Sequence, residues 1–328
     1  MLFRFFQAAC SDRVGRRRFR HSGLGLLILL FILAAGSLTA TAGDQAEPPQ
    51  KSSAATSGGY SIFHETMVDM TWLEVEKAAK EDAVILMTTA VIEEHGPHMS
   101  CGCDAYGGYL MCKLTRRELE SRGIKTLTAP PFYWGINQTS HVFPGTFTVR
   151  PETMKALLHD MLASLKNMGF QHVFNINAHG DGSHIRTAIE AIIEAQKSLS
   201  LDVRYLMAEE DAKRARLTGK EPFLLVHKSP PSATQAGEYL DLHAGAGETG
   251  FMAAFFPDQV NSKLARTLPP TKVTVKEIGE WVRDMKKVTP QGYLGDPAKY
   301  NAAKAKKEVE ESCRMMAEAI ADFMTKSR

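Results

Sequence analysis

The segment from Ile92 to Asp104 reads IEEHGPHMSCGCD and sets Glu93, His95 and Asp104 at short offsets behind a strongly apolar run. That run, Ala83 to Val91 (AVILMTTAV), reads as a buried strand. Side chains at i and i+2 of an extended backbone leave on the same side, so Glu93 and His95 can face one cation. Gly96 and Pro97 turn the chain and let Asp104 return to the pair. Carboxylate and imidazole ligands with one open position are what a hydrolytic zinc, manganese or iron site uses to activate water. Two further clusters add weight. In NINAHGDGSH (175–184), His179 and Asp181 repeat the spacing of two, and Gly180 and Gly182 let backbone approach a ligand. In HAGAGET (243–249), His243 and Glu248 stand among small residues just before an apolar helix. Each cluster alone is compatible with a core histidine or a helix-starting glutamate. Three of them at loop positions point to one site.

The elements that must position these loops alternate between amphipathic and apolar patterns. Trp72 to Glu81 reads as a helix, Ala83 to Val91 as a strand, Tyr106 to Arg122 as a helix, and Thr126 to Ala129 as a short strand. Pro151 to Met168 is a helix opened by proline, His172 to Asn177 a second buried strand, and Ser183 to Ser198 a helix. Asp202 to Met207 is a third strand, and Glu248 to Phe256 begins another helix. Such alternation predicts an α/β fold: a three-layer α/β/α domain with a mostly parallel sheet, spanning residues 70–328. Ligands of such sheets gather beyond the carboxyl ends of the strands, where the first two clusters lie.

The 328 residues are 44% apolar and 23% charged, which places the chain among ordinary globular proteins. The start is different. Arg13, Arg16, Arg17, Arg18 and Arg20 precede the apolar run Leu24 to Ala35, which is short for a membrane span, and Ala40-Thr41-Ala42 offers a cleavage site. Residues 1–42 therefore read as a signal peptide for export to the periplasm or the cell exterior, with an uncleaved anchor as the alternative. Arg16-Arg17-Arg18-Phe19 also resembles the twin-arginine signal, whose route carries folded proteins; an ordinary secretory signal is the other reading. Residues 43–69 form a linker and amino-terminal extension, polar and small from Gly43 to Gly59. Cleavage would remove six arginines and Asp12, taking the formal charge from +2 to about −3. No basic surface for nucleic acid is expected. Cys101, Cys103, Cys112 and Cys313 are too few for a disulfide scaffold, and the Cys101-Gly102-Cys103 triplet beside Asp104 leaves a soft-metal role open.

Five ordered motifs across roughly residues 70–315 resemble the creatininase family of metal-dependent amidohydrolases. The family's E-Q-H-G-P-H-L-P-x-x-T-D stands here as EEHGPHMSCGCD, and its H-x-x-F-P-G-T as HVFPGTF from His141, one residue shorter. The N-G-H loop appears as NAHGD, H-A-G-x-x-E-T as HAGAGET, and G-x-x-G-D-P as GYLGDP from Gly292. The resemblance implies two divalent cations per chain (Zn, Mn or Fe) on Glu93, His95, Asp104 and His179, with Asp104 bridging. It makes Glu248 a further ligand or an acid/base, and His243 a proton shuttle near the leaving group. Asp181 stands where creatininase itself has a ligand glutamate and many relatives have glycine, so coordination by Asp181 stays open. His98 would support the ligands, and His184 would start the next helix.

The implied activity is hydrolysis of an amide or cyclic-amide C–N bond, other than a peptide bond, in a small molecule. The alternatives are the same site acting on a formamide, a peptide or a cyclic ketone, or a non-catalytic metal- or ligand-binding protein. Ser100, Cys103 and Gly182 depart from the family pattern, and no tryptophan lies between Lys213 and Asp241, where creatininase has loop tryptophans. Creatinine is therefore not the default substrate. The resemblance also implies a homo-oligomer.

Overall fold

The computed structural model describes residues 61–230, 235–236 and 239–327. The expected signal peptide, and the linker up to Gly59, lie outside them. Five parallel strands form the central sheet: β1 (Val84–Thr89), β2 (Thr126–Thr128), β3 (His172–Asn177), β4 (Asp202–Ala208) and β5 (Leu224–His227). Their order is β2-β1-β3-β4-β5. All six residues of β1 are buried, because successive side chains point to opposite faces and both faces are covered.

Ile85 and Met87 point into one layer, where α1 (Trp72–Lys80), α3 (Pro151–Asn167), α4 (Gly182–Leu199) and α5 (Glu209–Arg214) contribute Ala78, Met154, Leu158, Leu162, Ala188, Ile192 and Ala212. Val84 and Leu86 point into the other. There α2 (Cys103–Ser121) brings Cys112 and Leu119, and the 26-residue α10 (Ala302–Ser327) brings Cys313, Met316, Ala317, Ile320 and Met324. The chain is thus the three-layer α/β/α domain that the alternation predicts. Between β5 and α10 lie the ribbon β6 (Gln235–Ala236) and β7 (Tyr239–Leu240), then α6 (Ala246–Phe255), α7 (Ser262–Ala265), α8 (Ile278–Arg283) and α9 (Met285–Val288). Met252 and Phe256 of the α6 segment pack with Met99, Cys103, Tyr109 and Tyr293, laying this segment over the start of α2.

Element boundaries shift in two places that matter. The helix expected from Tyr106 begins at Cys103, so Asp104 sits in its first turn instead of in the preceding loop. Residues 61–69 join the domain: Ile62 and Met67 pack on its core and Glu65 pairs with Lys113 at 2.5 Å. Among the described residues no helix is long and apolar enough to cross a membrane.

The strand order fixes where a site can form. From β1 the chain goes to β2 on one side, and from β3 to β4 on the other. The connections therefore part between β1 and β3 and leave a crevice beyond their carboxyl ends. Thr89 pairs with Asn177 at that end, placing the loops 90–102 and 178–181 side by side.

Candidate metal centre and active site

Six side chains from three loops and two helix starts converge above this crevice. Glu93 and His95 come from the loop after β1, Asp104 from the first turn of α2, and His179 from the loop after β3. His243 precedes α6 and Glu248 lies in its first turn. His179 Nδ1 stands 3.0 Å from Glu93 Oε1 and 2.8 Å from Asp104 Oδ2. His95 Nε2 faces the other Asp104 oxygen, Oδ1, at 3.3 Å, and Glu248 Oε2 at 3.6 Å. His243 Nδ1 faces Glu93 Oε1 at 4.0 Å. Glu93, His95, Asp104, His179 and His243 are buried, whereas Glu248 keeps 36% of its side chain exposed and forms the rim.

Each imidazole is oriented by the same device. His95 Nδ1 donates to the Glu93 carbonyl at 3.1 Å, His179 Nε2 to the Ile136 carbonyl at 3.1 Å, and His243 Nε2 to the Glu94 carbonyl at 2.9 Å. A carbonyl only accepts, so in each ring that nitrogen carries a proton and the other is turned toward the carboxylates. Backbone anchoring of this kind fixes tautomer and ring plane in metal-ligating histidines.

The electrostatics fit cations. Burial would lower His95, but Cys103, Asp104 and Glu248 outweigh it and hold the imidazole well above its usual value. Burial likewise opposes His179, and Glu93 with Asp104 again wins. Burial raises the Asp104 carboxyl, yet the hydrogen bond from His179 and the charge of the nearby His95 drive it far down. Burial also raises Glu93, and the His179 and His243 charges reverse that shift. Glu248 moves the other way: desolvation raises it, against the pull of His95 and His243. His95 Nε2 is buried and makes no hydrogen bond. Three candidate donor sets overlap here: Glu93 with Asp104 and His179, Glu93 with His95 and His243, and His95 with Cys103 and Asp104. Within each, the ligand atoms lie within 4.8 Å of one another. Carboxylates concentrated on buried imidazoles, with one imidazole nitrogen unpartnered, suit divalent cations that would displace protons on binding.

Asp181 is the expected ligand that the structure does not bring into the cluster. Its Oδ1 accepts from Ser183 and His184 amides at 2.8 and 3.2 Å, capping α4, and its Oδ2 accepts from the Gln138 amide at 2.8 Å. Both oxygens are occupied by backbone donors at a helix start, where a short acidic side chain is strongly favoured. Asp181→Ala is expected to lower stability by about 0.5–2 kcal/mol, read as a shift of the urea midpoint, with bound metal unchanged. Loss of metal without loss of stability would make Asp181 a ligand.

His184 starts α4 but is fully buried, holding Asn177 Oδ1 at 3.0 Å and accepting from the Ile136 amide at 3.2 Å. Burial and the His179 charge push its pKa well down, so it is a neutral structural residue. His98 bonds Thr249 Oγ1 at 2.8 Å, tying the first loop to α6, and burial pushes it down to about 4.

Sequence reasoning missed several supports. Ser140 Oγ donates to Glu93 Oε2, and Glu94 Oε1 stands 3.3 Å from His243 Nε2. The middle motif braces the first: Thr146 Oγ1 accepts from the Glu94 amide at 3.0 Å and Phe147 N donates to the Ile92 carbonyl at 2.9 Å. The late motif braces the HAGAGET segment, since Leu294 pairs with His243 and its amide donates to the His243 carbonyl at 2.7 Å. Gly292 has φ +74°, and a Cβ there would fall 2.1 Å from Glu94 Oε2, so only glycine fits. Four of the five motifs, read only as family marks, thus hold one another in place.

The class that the fold and the site define is a doubly wound α/β domain with a buried carboxylate–imidazole cluster at its switch point. The creatininase family profile, described as creatinine amidohydrolase, matches residues 68–320. The chain belongs to this family. It is 24% identical over 209 residues to the 3-dehydro-scyllo-inosose hydrolase of Thermotoga maritima, covering 61% of this chain and 59% of that protein. It is 25% identical over 210 residues to the creatinine amidohydrolase of Pseudomonas putida, covering 62% and 76%. A crystal structure of creatininase shares the fold with a TM-score of 0.60 at 21% identity, over 79% of this chain and 97% of that one.

Proposed function

We propose that this protein is an exported hydrolase that cleaves an amide or cyclic-amide C–N bond of a small molecule, using two divalent cations. The observation that carries this is the Asp104 carboxylate, whose two oxygens face two different imidazoles, His95 and His179. A carboxylate so placed would be able to serve two cations at once. Solved creatininases named for manganese and for a zinc pair support the choice of metals. Glu93, Asp104 and His179 would hold one cation, and His95 with Asp104 the other. Bound there, such ions would lower the pKa of water from about 15.7 to about 7 and polarise a carbonyl.

The chain's own residues supply the rest. Water oxygen attacks the carbonyl carbon, the C–N bond breaks, and nitrogen takes a proton as it leaves. His243, held by the Glu94 carbonyl with Nδ1 turned inward, is placed to deliver that proton. Glu248 at the rim, its carboxyl shifted up, is placed to take the proton from water. Products are a carboxylate and an amine, or one ring-opened acid. A cyclic ketone is the second reading, favoured by the near-equal likeness to the inosose hydrolase.

Purified protein loaded with zinc or manganese is expected to hydrolyse members of a panel of linear and cyclic amides. Turnover confined to cyclic ketones would replace the amide reading, and tight metal binding without turnover of any member would leave a binding protein. Export has its own test. Residues 1–45 fused to a reporter are expected to direct export with cleavage after Ala42; a reporter held in the cytoplasm removes this part of the proposal. Loss of export on replacing Arg16 and Arg17 by lysine would assign the twin-arginine route. Self-assembly into a homo-oligomer completes the reading, and light scattering on the purified protein tests it.

A further inference from the structure

We infer that the cation held by His95 is a thiolate-bound zinc whose protein ligands are His95 Nε2, Asp104 Oδ1 and Cys103 Sγ. The inference rests on the metal-centre reading above and sharpens it, because it names a ligand and a metal for one of the two positions.

Five observations carry it. Asp181, the one carboxylate that spacing offered to this position from the β3 loop, has both oxygens engaged by backbone amides of α4 and residue 138. His95 Nε2 is buried and makes no hydrogen bond, so with the ring proton held on Nδ1 by the Glu93 carbonyl its lone pair is free to ligate a cation. Cys103 Sγ lies within 4.8 Å of both the His95 and Asp104 ligand atoms, and its side chain is 2% exposed. Cys103 is also the first residue of the 19-residue α2, where the helix dipole favours a negative charge. Glu248, another candidate, is partly exposed at the rim and accepts from the Ala244 amide at 2.6 Å.

The chemistry is coherent. A thiol that coordinates a cation is deprotonated outright, so binding here would exchange the Cys103 proton for the metal. One nitrogen, one sulfur and one oxygen leave a fourth tetrahedral position open, the arrangement of catalytic zinc sites. A soft sulfur donor selects zinc over manganese. The Glu93, Asp104 and His179 position has no sulfur and keeps the harder preference. The two positions therefore differ in metal choice. Manganese is expected to fill only one of them tightly, whereas zinc fills both.

X-ray absorption on the zinc-loaded wild-type protein tests the ligand without recourse to activity. A zinc–sulfur shell at about 2.3 Å is expected beside nitrogen and oxygen neighbours at about 2.0–2.1 Å. The shell should vanish in Cys103→Ser and persist in Cys101→Ser. Cobalt loading gives a second readout, a sulfur-to-metal charge-transfer band in wild type that Cys103→Ser lacks. Two bound zinc ions with only nitrogen and oxygen neighbours in wild type would overturn the thiolate while leaving the hydrolase reading intact. A sulfur shell that survives Cys103→Ser assigns the sulfur elsewhere and also overturns it. Failure of wild type to bind zinc at all would remove both. Because the wild-type spectrum decides, a poorly folding variant does not shield the inference.

Discussion

Asp104→Ala is expected to bring turnover to the background rate and to strip metal from the protein, the largest effect of any single substitution in the site. One oxygen faces His179 at 2.8 Å and the other faces His95 at 3.3 Å, so the carboxylate is placed to serve both proposed cation positions at once. Without it, two cations would face each other with no shared counter-charge in a buried site, where repulsion is poorly screened. Loss of a hydrogen-bonded outer partner typically weakens metal binding about 10- to 100-fold, and loss of a bridging ligand should exceed that. Asp104→Asn keeps the shape and isolates the charge. Metal per chain by plasma emission spectroscopy is the measurement, and full occupancy of two positions in either variant would refute the bridge.

The second large effect is expected at His243. His243→Ala should keep its metals and lose about 100- to 10,000-fold in rate, the span associated with loss of a general acid. The loss should be greatest for substrates that expel a basic amine and smallest for activated amides whose nitrogen departs unaided. The geometry makes this a demanding test, because His243 Nδ1 is oriented toward Glu93 just as the ligand histidines are turned inward. Loss of metal, or a rate deficit equal for all leaving groups, would make His243 a ligand or a scaffold residue.

Local pattern carried much of the fold and part of the site. The strand His172–Asn177 and the helix start at Pro151 fall where the apolar run and the proline put them, because burial on both sheet faces and a fixed φ act within a few residues. Glu93 with His95, and His179 after the next strand, were legible because both loops must end at the same sheet edge. What depends on distant partners was not. Asp181 has the right chemistry and spacing for a ligand, but its fate is decided by the amide of Gln138, 43 residues away. Ser140 and Glu94 are unremarkable in sequence and gain meaning only once the middle and late motifs fold against them. The helix Ala302–Ser327 has a stripe of Val309, Cys313, Met316, Ala317, Ile320 and Met324, yet its partner α2 lies about two hundred residues upstream, beyond the reach of local pattern.

That separation governs the order in which the protein can fold. Cys313 meets the Met111 carbonyl across 202 residues, and the same layer covers Leu86, Phe174, Ile176 and Leu206. Closing so long a loop must precede the contacts that reward it, which slows folding. A nascent chain that has not yet made residue 302 would have one face of its sheet covered by α2 alone, and α2, which carries Asp104, would lack the helix packed against it. Such an intermediate would expose the apolar residues that α10 covers, and the cluster around Asp104 would take its final geometry only once that last helix docks.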